Sequence, residues 1–451
     1  MPQIPRPSTL DVAAYISPEF AAAERGKLWS KVWQQACRLE ELPEPGSFIT
    51  YDIGLDSILI VRDARGAIHA HHNVCPHRGR RLVDVPPGAH HAEGRRLSFV
   101  CGFHGWTFDP KGQCTYVRNI ADWQGELTED RTRLEPVRCD TWGGWIWINL
   151  DPACEPLRDY LEPAATILDP FQLENMRPRW RRWLNFDCNW KVALEAFSET
   201  YHVPGTHPEF MEFGDFTGWG RQRGKHSHIG YDAPEGLDEN KAKLRLGAGD
   251  DPRISTAEMQ VYTWREVNTN TTKTLVDASL RLVDELPEGT PADAVLRHWL
   301  DSARSDDEAR GVFWPRIDPQ AVGESGTSWQ IFPNVQIGHA VNNMLCYRAR
   351  PIGIDPDRCI FEVAVYELYP AGEEPETSWE YLERDDPKWG SVLPQDFANM
   401  AAVQLGMKSL GFRGAQPNPN AEGAVASLHR NLAQYMESKP PEPFVEQRCS
   451  R

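Results

Sequence analysis

The sequence predicts an α+β protein in two parts: a small antiparallel β domain, then a larger domain in which helices cover an antiparallel sheet. Three observations carry that prediction. From Phe48 to Asp151 the chain runs in short alternating segments broken by turn residues such as Gly66, Pro76, Gly79, Pro110 and Gly112. After Asp151-Pro152 helical and strand-like apolar spacings intermix. A length of 451 residues, 25% charged and 40% hydrophobic, is that of a globular chain of about two or three domains.

The elements follow in order. Ser17-Pro18-Glu19 predicts a helix start, with Ser as N-cap and Pro in the first turn. Phe20, Leu28, Val32 and Trp33 continue the helical spacing towards Leu39, before Pro43, Pro45 and Gly46 end it. Strands are predicted over 57–62, 68–72, 97–100, 106–108 and 145–150, and a surface loop over 84–96, with His90 and His91 solvated in it. Further on, 180–186 reads as a strand and 191–202 as a helix. Stretches 274–286 and 292–311 have helical spacing, 328–337, 344–350 and 359–369 fit strands, and 396–410 and 424–436 read as closing helices.

Composition excludes several functions. Lys and Arg number 48 against 65 Asp and Glu, a net charge of −17, which disfavours nucleic acid as a partner. The ten cysteines are spread too thinly for a disulfide scaffold. The longest apolar run, Trp145–Ile148, is too short to span a bilayer, and the first residues show no charged start leading into an apolar stretch. The expectation is a cytoplasmic protein with no membrane partner.

Two clusters of metal-binding residue types carry the chemistry. Cys75-Pro76-His77 and Cys101-Gly102-Phe103-His104 each offer one thiolate and one imidazole on separate loops of the β domain. Four such ligands suit a tetrahedral zinc, or a two-iron, two-sulfur cluster with two Cys on one iron and two His on the other. Zinc motifs more often pair Cys with Cys and His with His, so the mixed pairs favour the cluster. In the second group Glu195, Glu199 and His202 stand at i, i+4 and i+7 of the predicted helix, and Pro204-Gly205 turns His207 back beside His202. Two imidazoles and a carboxylate with open positions form the facial triad of mononuclear iron oxygenases.

The flanks, Cys75-Pro76-His77-Arg78-Gly79 and Cys101-Gly102-Phe103-His104-Gly105-Trp106-Thr107-Phe108-Asp109, closely resemble the two cluster loops of Rieske proteins. Residues 189–207, Asn189-Trp190-Lys191 through Glu199-Thr200-Tyr201-His202 to His207, resemble the iron-binding stretch of Rieske non-haem iron oxygenase large (α) subunits. The separation of His77 from Cys101, 23 residues counted from 78 to 100, exceeds that of typical members, and the surplus falls in the His90-His91 loop.

The resemblance implies a Rieske [2Fe-2S] domain over 43–160 and a catalytic domain of helix-grip, START-like fold over 161–451. Residues 1–42 would be a helical segment packing on the catalytic domain. It implies Cys75, His77, Cys101 and His104 as cluster ligands, and His202, His207 and Asp396 as ligands of a mononuclear Fe(II). Asp385 and Asp386 compete with Asp396, which could instead merely cap its helix. Glu199 stands where the family usually has an Asp that bridges a ligand His to a cluster His on the neighbouring subunit. Glu is found there in some members acting on quaternary ammonium compounds. NAD(P)H electrons are expected through a reductase, with or without a ferredoxin, and the assembly as a homotrimer, α3 or α3β3. The leading expectation is dioxygen-dependent hydroxylation of an apolar aromatic substrate. The alternative is a monooxygenase that demethylates or cleaves C–N bonds, including those of quaternary ammonium substrates. Phe210, Phe213, Phe216 and Trp219 would line an aromatic pocket or simply pack the core, and Lys225, His226 and His228 are expected in a solvated loop.

Overall fold

The computed structural model describes residues 8–213, 218–231, 251–437 and 442–443. Two units are distinguished: Ala22–Tyr160 with Pro351–Asp355, and a larger one of Met1–Ala21, Leu161–Arg350 and Pro356–Arg451.

The smaller unit is built on ten strands: β1 (Gln34–Arg38), β2 (Ser47–Ile53), β3 (Asp56–Arg62), β4 (Ile68–His72), β5 (Glu93–Arg95), β6 (Phe99–Val100), β7 (Thr107–Phe108), β8 (Cys114–Tyr116), β9 (Pro136–Trp142) and β10 (Trp145–Asn149). Seven of them form one antiparallel sheet in the order β1-β10-β9-β4-β3-β2-β5, and β6-β7-β8 form a second. The continuous apolar runs Ile58–Val61 and Trp145–Ile148 are buried, as strands covered on both faces must be. The helical spacing expected to reach Leu39 stops at Trp29, because Gln34–Arg38 pairs with β10 and all five residues are buried. Sheet pairing there overrides the local pattern. The expected 84–96 loop likewise closes on the sheet. Thr50 and Ala92 exchange two hydrogen bonds of 2.8 Å, Glu93–Arg95 pairs with β2, and His90 is buried rather than solvated.

The larger unit has an eight-stranded sheet of β11 (Arg177–Phe186), β12 (Gly218–Arg223), β13 (His226–Tyr231), β14 (Ser328–Ile331), β15 (Val335–His339), β16 (Asn343–Pro351), β17 (Cys359–Glu367) and β18 (Trp379–Tyr381). Its order is β12-β13-β14-β15-β16-β17-β11-β18, with β18 joining β11 in parallel. The single run expected over 328–337 is two strands, split at Phe332-Pro333-Asn334, where proline offers no amide to a ladder. His226 and His228, expected in a loop, are buried in β13 between β12 and β14, and the His226 ring accepts the Phe332 amide.

Helices α1 (Ala13–Ile16), α2 (Trp190–Glu195), α3 (Val203–Thr206), α4 (Pro252–Tyr262), α5 (Lys273–Leu280), α6 (Ala292–Ala309), α7 (Val392–Met407) and α8 (Gly423–Met436) belong to this unit. Asn189 caps α2 by accepting the Lys191 amide. The α8 backbone reaches β12 only because two glycines meet: a Cβ on Gly423 would lie 2.0 Å from the Gly220 carbonyl oxygen. Among the described residues no helix is long and apolar enough to cross a membrane.

Candidate functional site

The Cys-His pairs of the smaller unit sit on two loops with the same backbone closure. In the first, the Cys75 amide bonds the Arg80 carbonyl at 2.8 Å and the Gly79 amide bonds the Cys75 carbonyl at 3.0 Å. In the second, Cys101 bonds Trp106 at 2.8 Å and Gly105 bonds Cys101 at 2.9 Å. Gly79 and Gly105 both have φ of +76°, a left-handed conformation that a side chain would strain, which is why each motif carries Gly four residues after its Cys. The twin turns bring the His77 and His104 rings to 4.5 Å between centroids, with Trp106 stacked 4.8 Å from His77.

Cys75 and Cys101 are buried in an apolar cluster with Phe99, Trp106 and Phe108. Burial, reinforced by Cys101, pushes the Cys75 thiol up to about 11. Burial, then His104 and Arg78, lower His77, so its imidazole is neutral. The His77 Nδ1 is shielded from solvent and has no hydrogen-bond partner. A buried imidazole nitrogen without a partner beside two buried thiols is a donor set that a cluster would satisfy.

In the larger unit the helix predicted over 191–202 ends at Glu195. Ser198 Oγ bonds back to the Leu194 carbonyl, and the Glu199 carboxylate takes the amides of Tyr201 and His202. Those side-chain bonds stop the helix and start α3, whose single turn separates His202 from His207. The common stripe of Glu195, Glu199 and His202 is thereby broken. Glu195 turns instead to Tyr15, whose hydroxyl donates to it at 2.9 Å, and to His429, 2.7 Å away.

His202, His207 and Asp396 each offer one ligand atom, all within 4.8 Å of one another. Asp396 Oδ1 lies 2.9 Å from His207 Nε2 and 3.4 Å from His202 Nε2. Because α7 begins at Val392, Asp396 sits inside the helix and does not cap it. Asp386 caps the turn Pro387–Trp389, and neither it nor Asp385 joins the cluster. The other ring nitrogens are held from behind: His202 Nδ1 is 2.6 Å from Glu199 Oε1, and His207 Nδ1 is 2.5 Å from Gln395 Oε1. Acceptors at both Nδ1 atoms take the Nδ1–H protons, so each Nε2 is the nitrogen turned to Asp396, where it donates when protonated and would offer its lone pair to a divalent ion in place of that proton. Burial would lower both histidines, but hydrogen bonds with Asp396 and Glu199 outweigh it and push His202 up to about 10. Asp396 and Gln395 likewise raise His207. Burial alone would raise Asp396, but the two imidazoles hold it below its usual range.

The site opens into a cavity of about 350 Å³ lined by His202, Asp396, Glu195, Glu199 and Glu422 among others. Burial, opposed by the Asn418 amide and reinforced by Glu199 and Glu195, raises Glu422 to about 7. Gln395, Tyr15, His429 and Glu422 are functional candidates that sequence reasoning missed, since nothing local marks residues recruited across hundreds of positions. Phe210 and Phe213 pack on Tyr262, Trp219 lies elsewhere in the unit over His228, and Phe216 falls outside the described residues.

Comparison with known proteins agrees with this geometry. A family model described as Rieske [2Fe-2S] domain matches residues 32–126, and one described as ring hydroxylating alpha subunit (catalytic domain) matches 173–438. The glycine betaine monooxygenase oxygenase subunit of Pseudomonas aeruginosa is 31% identical over 186 residues, covering 41% of this chain and 42% of that protein. The large oxygenase component of the naphthalene 1,2-dioxygenase system of Pseudomonas putida is 34% identical over 205 residues, 44% of each. The matched part thus spans less than half the length of these relatives. Among solved structures, a quaternary ammonium Rieske monooxygenase in complex with L-carnitine aligns with a TM-score of 0.63 at 18% identity, over 95% of this chain and 96% of that one. A naphthalene 1,2-dioxygenase mutant bound to phenanthrene gives 0.63 and 18%, over 96% and 93%. At that identity both show the fold alone.

Proposed function

The chain belongs to the ring-hydroxylating oxygenase α-subunit family, with a Rieske [2Fe-2S] cluster and a mononuclear non-haem iron as cofactors, and on that premise we propose that it is a monooxygenase acting on a quaternary ammonium or related methylamine substrate. When bound, the cluster supplies single electrons and the mononuclear iron supplies dioxygen activation. Cys75, Cys101, His77 and His104 would hold the cluster, and His202, His207 and Asp396 the iron. Glu199 and Gln395 orient the two imidazoles through Nδ1. The Glu199 oxygens already serve His202 and two amides, yet a carboxylate has about four acceptor sites, so one further donor can be met. In a head-to-tail homotrimer that donor would be a cluster histidine of the next copy, with electrons delivered from NAD(P)H by a reductase.

The observation that carries the substrate reading is Glu199 in place of the usual Asp, supported by the glycine betaine and choline monooxygenases among the relatives. The ring-hydroxylation reading is the second one, supported by the naphthalene and anthranilate dioxygenases. Turnover with a reductase, NADH and glycine betaine should consume oxygen and release formaldehyde. Formation of a cis-diol from naphthalene, with no formaldehyde from any methylammonium compound, would reverse the order of the two.

A further inference from the structure

A second cavity of the larger unit, about 560 Å³, is not part of the metal site: none of His202, His207, Asp396 or Glu199 lines it. Its volume is that of a small-molecule pocket. Phe171, Trp219, Trp299 and Trp314 give it aromatic walls. The Trp299 and Trp314 indole N–H groups are already spent on the Leu275 carbonyl and Asp307, so these two residues present only apolar ring surface to the space.

The charge in this cavity is unusual for so acidic a protein. Among the described residues lining it there is no carboxylate, and Arg304 is the one side chain of permanent charge. Arg304 is half-buried, with its guanidinium carbon 5.4 Å from the centre of the Trp314 ring. Among the described residues no hydrogen bond or ion pair holds it, and its Nε is buried without a partner. Three acids stand one turn from it on α6: Asp307 is taken by Thr274, Arg310 and Trp314, and neither Asp301 nor Glu308, both exposed, pairs with Arg304. His339, also in the wall, adds no charge: burial lowers it to about 4, so it is neutral near pH 7. An arginine that merely snorkels turns its fork to bulk water and lays its stem on apolar surface. Here the guanidinium itself lies against an indole at the cavity wall. A half-buried guanidinium that no carboxylate among the described residues meets carries a desolvation cost that a bound anion would return through a two-point hydrogen bond.

We propose that this cavity is a binding site for a small organic anion, a carboxylate or sulfonate whose head pairs with Arg304 and whose apolar or methylammonium body rests on the tryptophan walls. The chemistry is shared by two sources, an anionic substrate and a separate effector, and the site does not depend on which compound is oxidised.

The test is calorimetric titration of the cofactor-loaded protein, without reductase, with two matched pairs: benzoate against benzyl alcohol, and glycine betaine against choline. In at least one pair the anion-bearing member should bind at least tenfold more tightly. Arg304→Met should abolish that preference while leaving the melting temperature within a few degrees, and Arg304→Lys should restore part of it. Equal affinities within both pairs, or a preference that survives Arg304→Met, would overturn the proposal. Adding reductase and NADH then separates the sources: a bound anion that is consumed is substrate, and one that binds unconsumed is an effector. Because binding is read without turnover, failure of the monooxygenase reading would leave this result standing.

Discussion

The cluster loops and the iron site hold their donors in opposite ways. In the smaller unit the candidate ligands are set by backbone: two turns, each closed by a Cys-to-Gly bond, leave the His77 Nδ1 without a hydrogen-bond partner and both thiols buried among apolar side chains. In the larger unit every ligating ring is gripped by another side chain, His202 by Glu199 and His207 by Gln395, which in turn donates to Glu209 at 2.8 Å. A backbone-defined site is compact in sequence, and a side-chain-defined one draws on distant segments. The first should be sensitive to glycine, the second to polar second partners.

The largest expected effect breaks one site and spares the other. Asp396→Ala removes the only carboxylate of the three-residue cluster and should cost all turnover, with iron falling from about three to two per chain and the cluster spectrum intact. Cys101→Ser should do the reverse, losing the cluster and keeping the mononuclear iron. If either variant emptied both sites, the independence of the two units as metal holders would fail. Next in size is Glu199→Ala. It should leave both metals bound yet lower kcat roughly a hundredfold, within the range of lost partners behind metal-bound histidines. Normal turnover would remove Glu199 from the bridging and orienting roles together.

A smaller effect sharpens the contrast in backbone terms. Gly105→Ala meets no atom within 4 Å, so its only cost is the left-handed backbone at φ +76°, about 1–2 kcal/mol. That cost should appear as lower cluster occupancy after purification. Tyr15→Phe in the larger unit leaves Glu195 and His429 without their shared hydroxyl and should cost a similar 1–3 kcal/mol, roughly, with no effect on the cluster. A glycine change that disturbed the iron, or a tyrosine change that disturbed the cluster, would contradict the division.

The same contrast explains what was legible in the sequence. Cys75–Arg80 and Cys101–Trp106 each contain their whole turn within six residues, so motif, spacing and geometry were readable together. His202 and His207 were readable because one helical turn joins them. Asp396 was reachable only through resemblance, and Gln395 and Tyr15 not at all, because their partners lie 188 and 180 residues away. The continuous helix over 191–202 was misjudged for a related reason. Apolar spacing reports which face is buried but not that Ser198 and Glu199 will spend their side chains on backbone groups. The strand at Gln34–Arg38 has helix-compatible spacing, and only its pairing with Trp145–Ile148 decides the matter.

The smallest expected effect near neutral pH concerns histidines that bind no metal. His228 and His339 are both lowered to about 4, chiefly by burial, with Arg223 and Arg221 adding to the effect at His228 and the nearby His228 at His339. The Ser325 carbonyl opposes the shift in each case. Unfolded, both would titrate near 6.5. Between pH 6.5 and 4 the unfolded chain therefore binds protons that the folded unit refuses, so stability is full above that window and declines as pH falls through it. His339→Gln keeps a polar side chain of similar size but cannot take up the proton. Its melting temperature near pH 7.5 should match that of the parent, and at pH 5 it should melt higher by roughly several degrees, because about 1.5 pH units below the unfolded value amount to about 2 kcal/mol of lost parent stability. Calorimetric scans from pH 5 to 8 check this. Parallel curves for the two proteins would mean that the His339 pocket admits the proton, and with it water, so that the wall facing the Arg304 cavity is wetter than its ring packing implies.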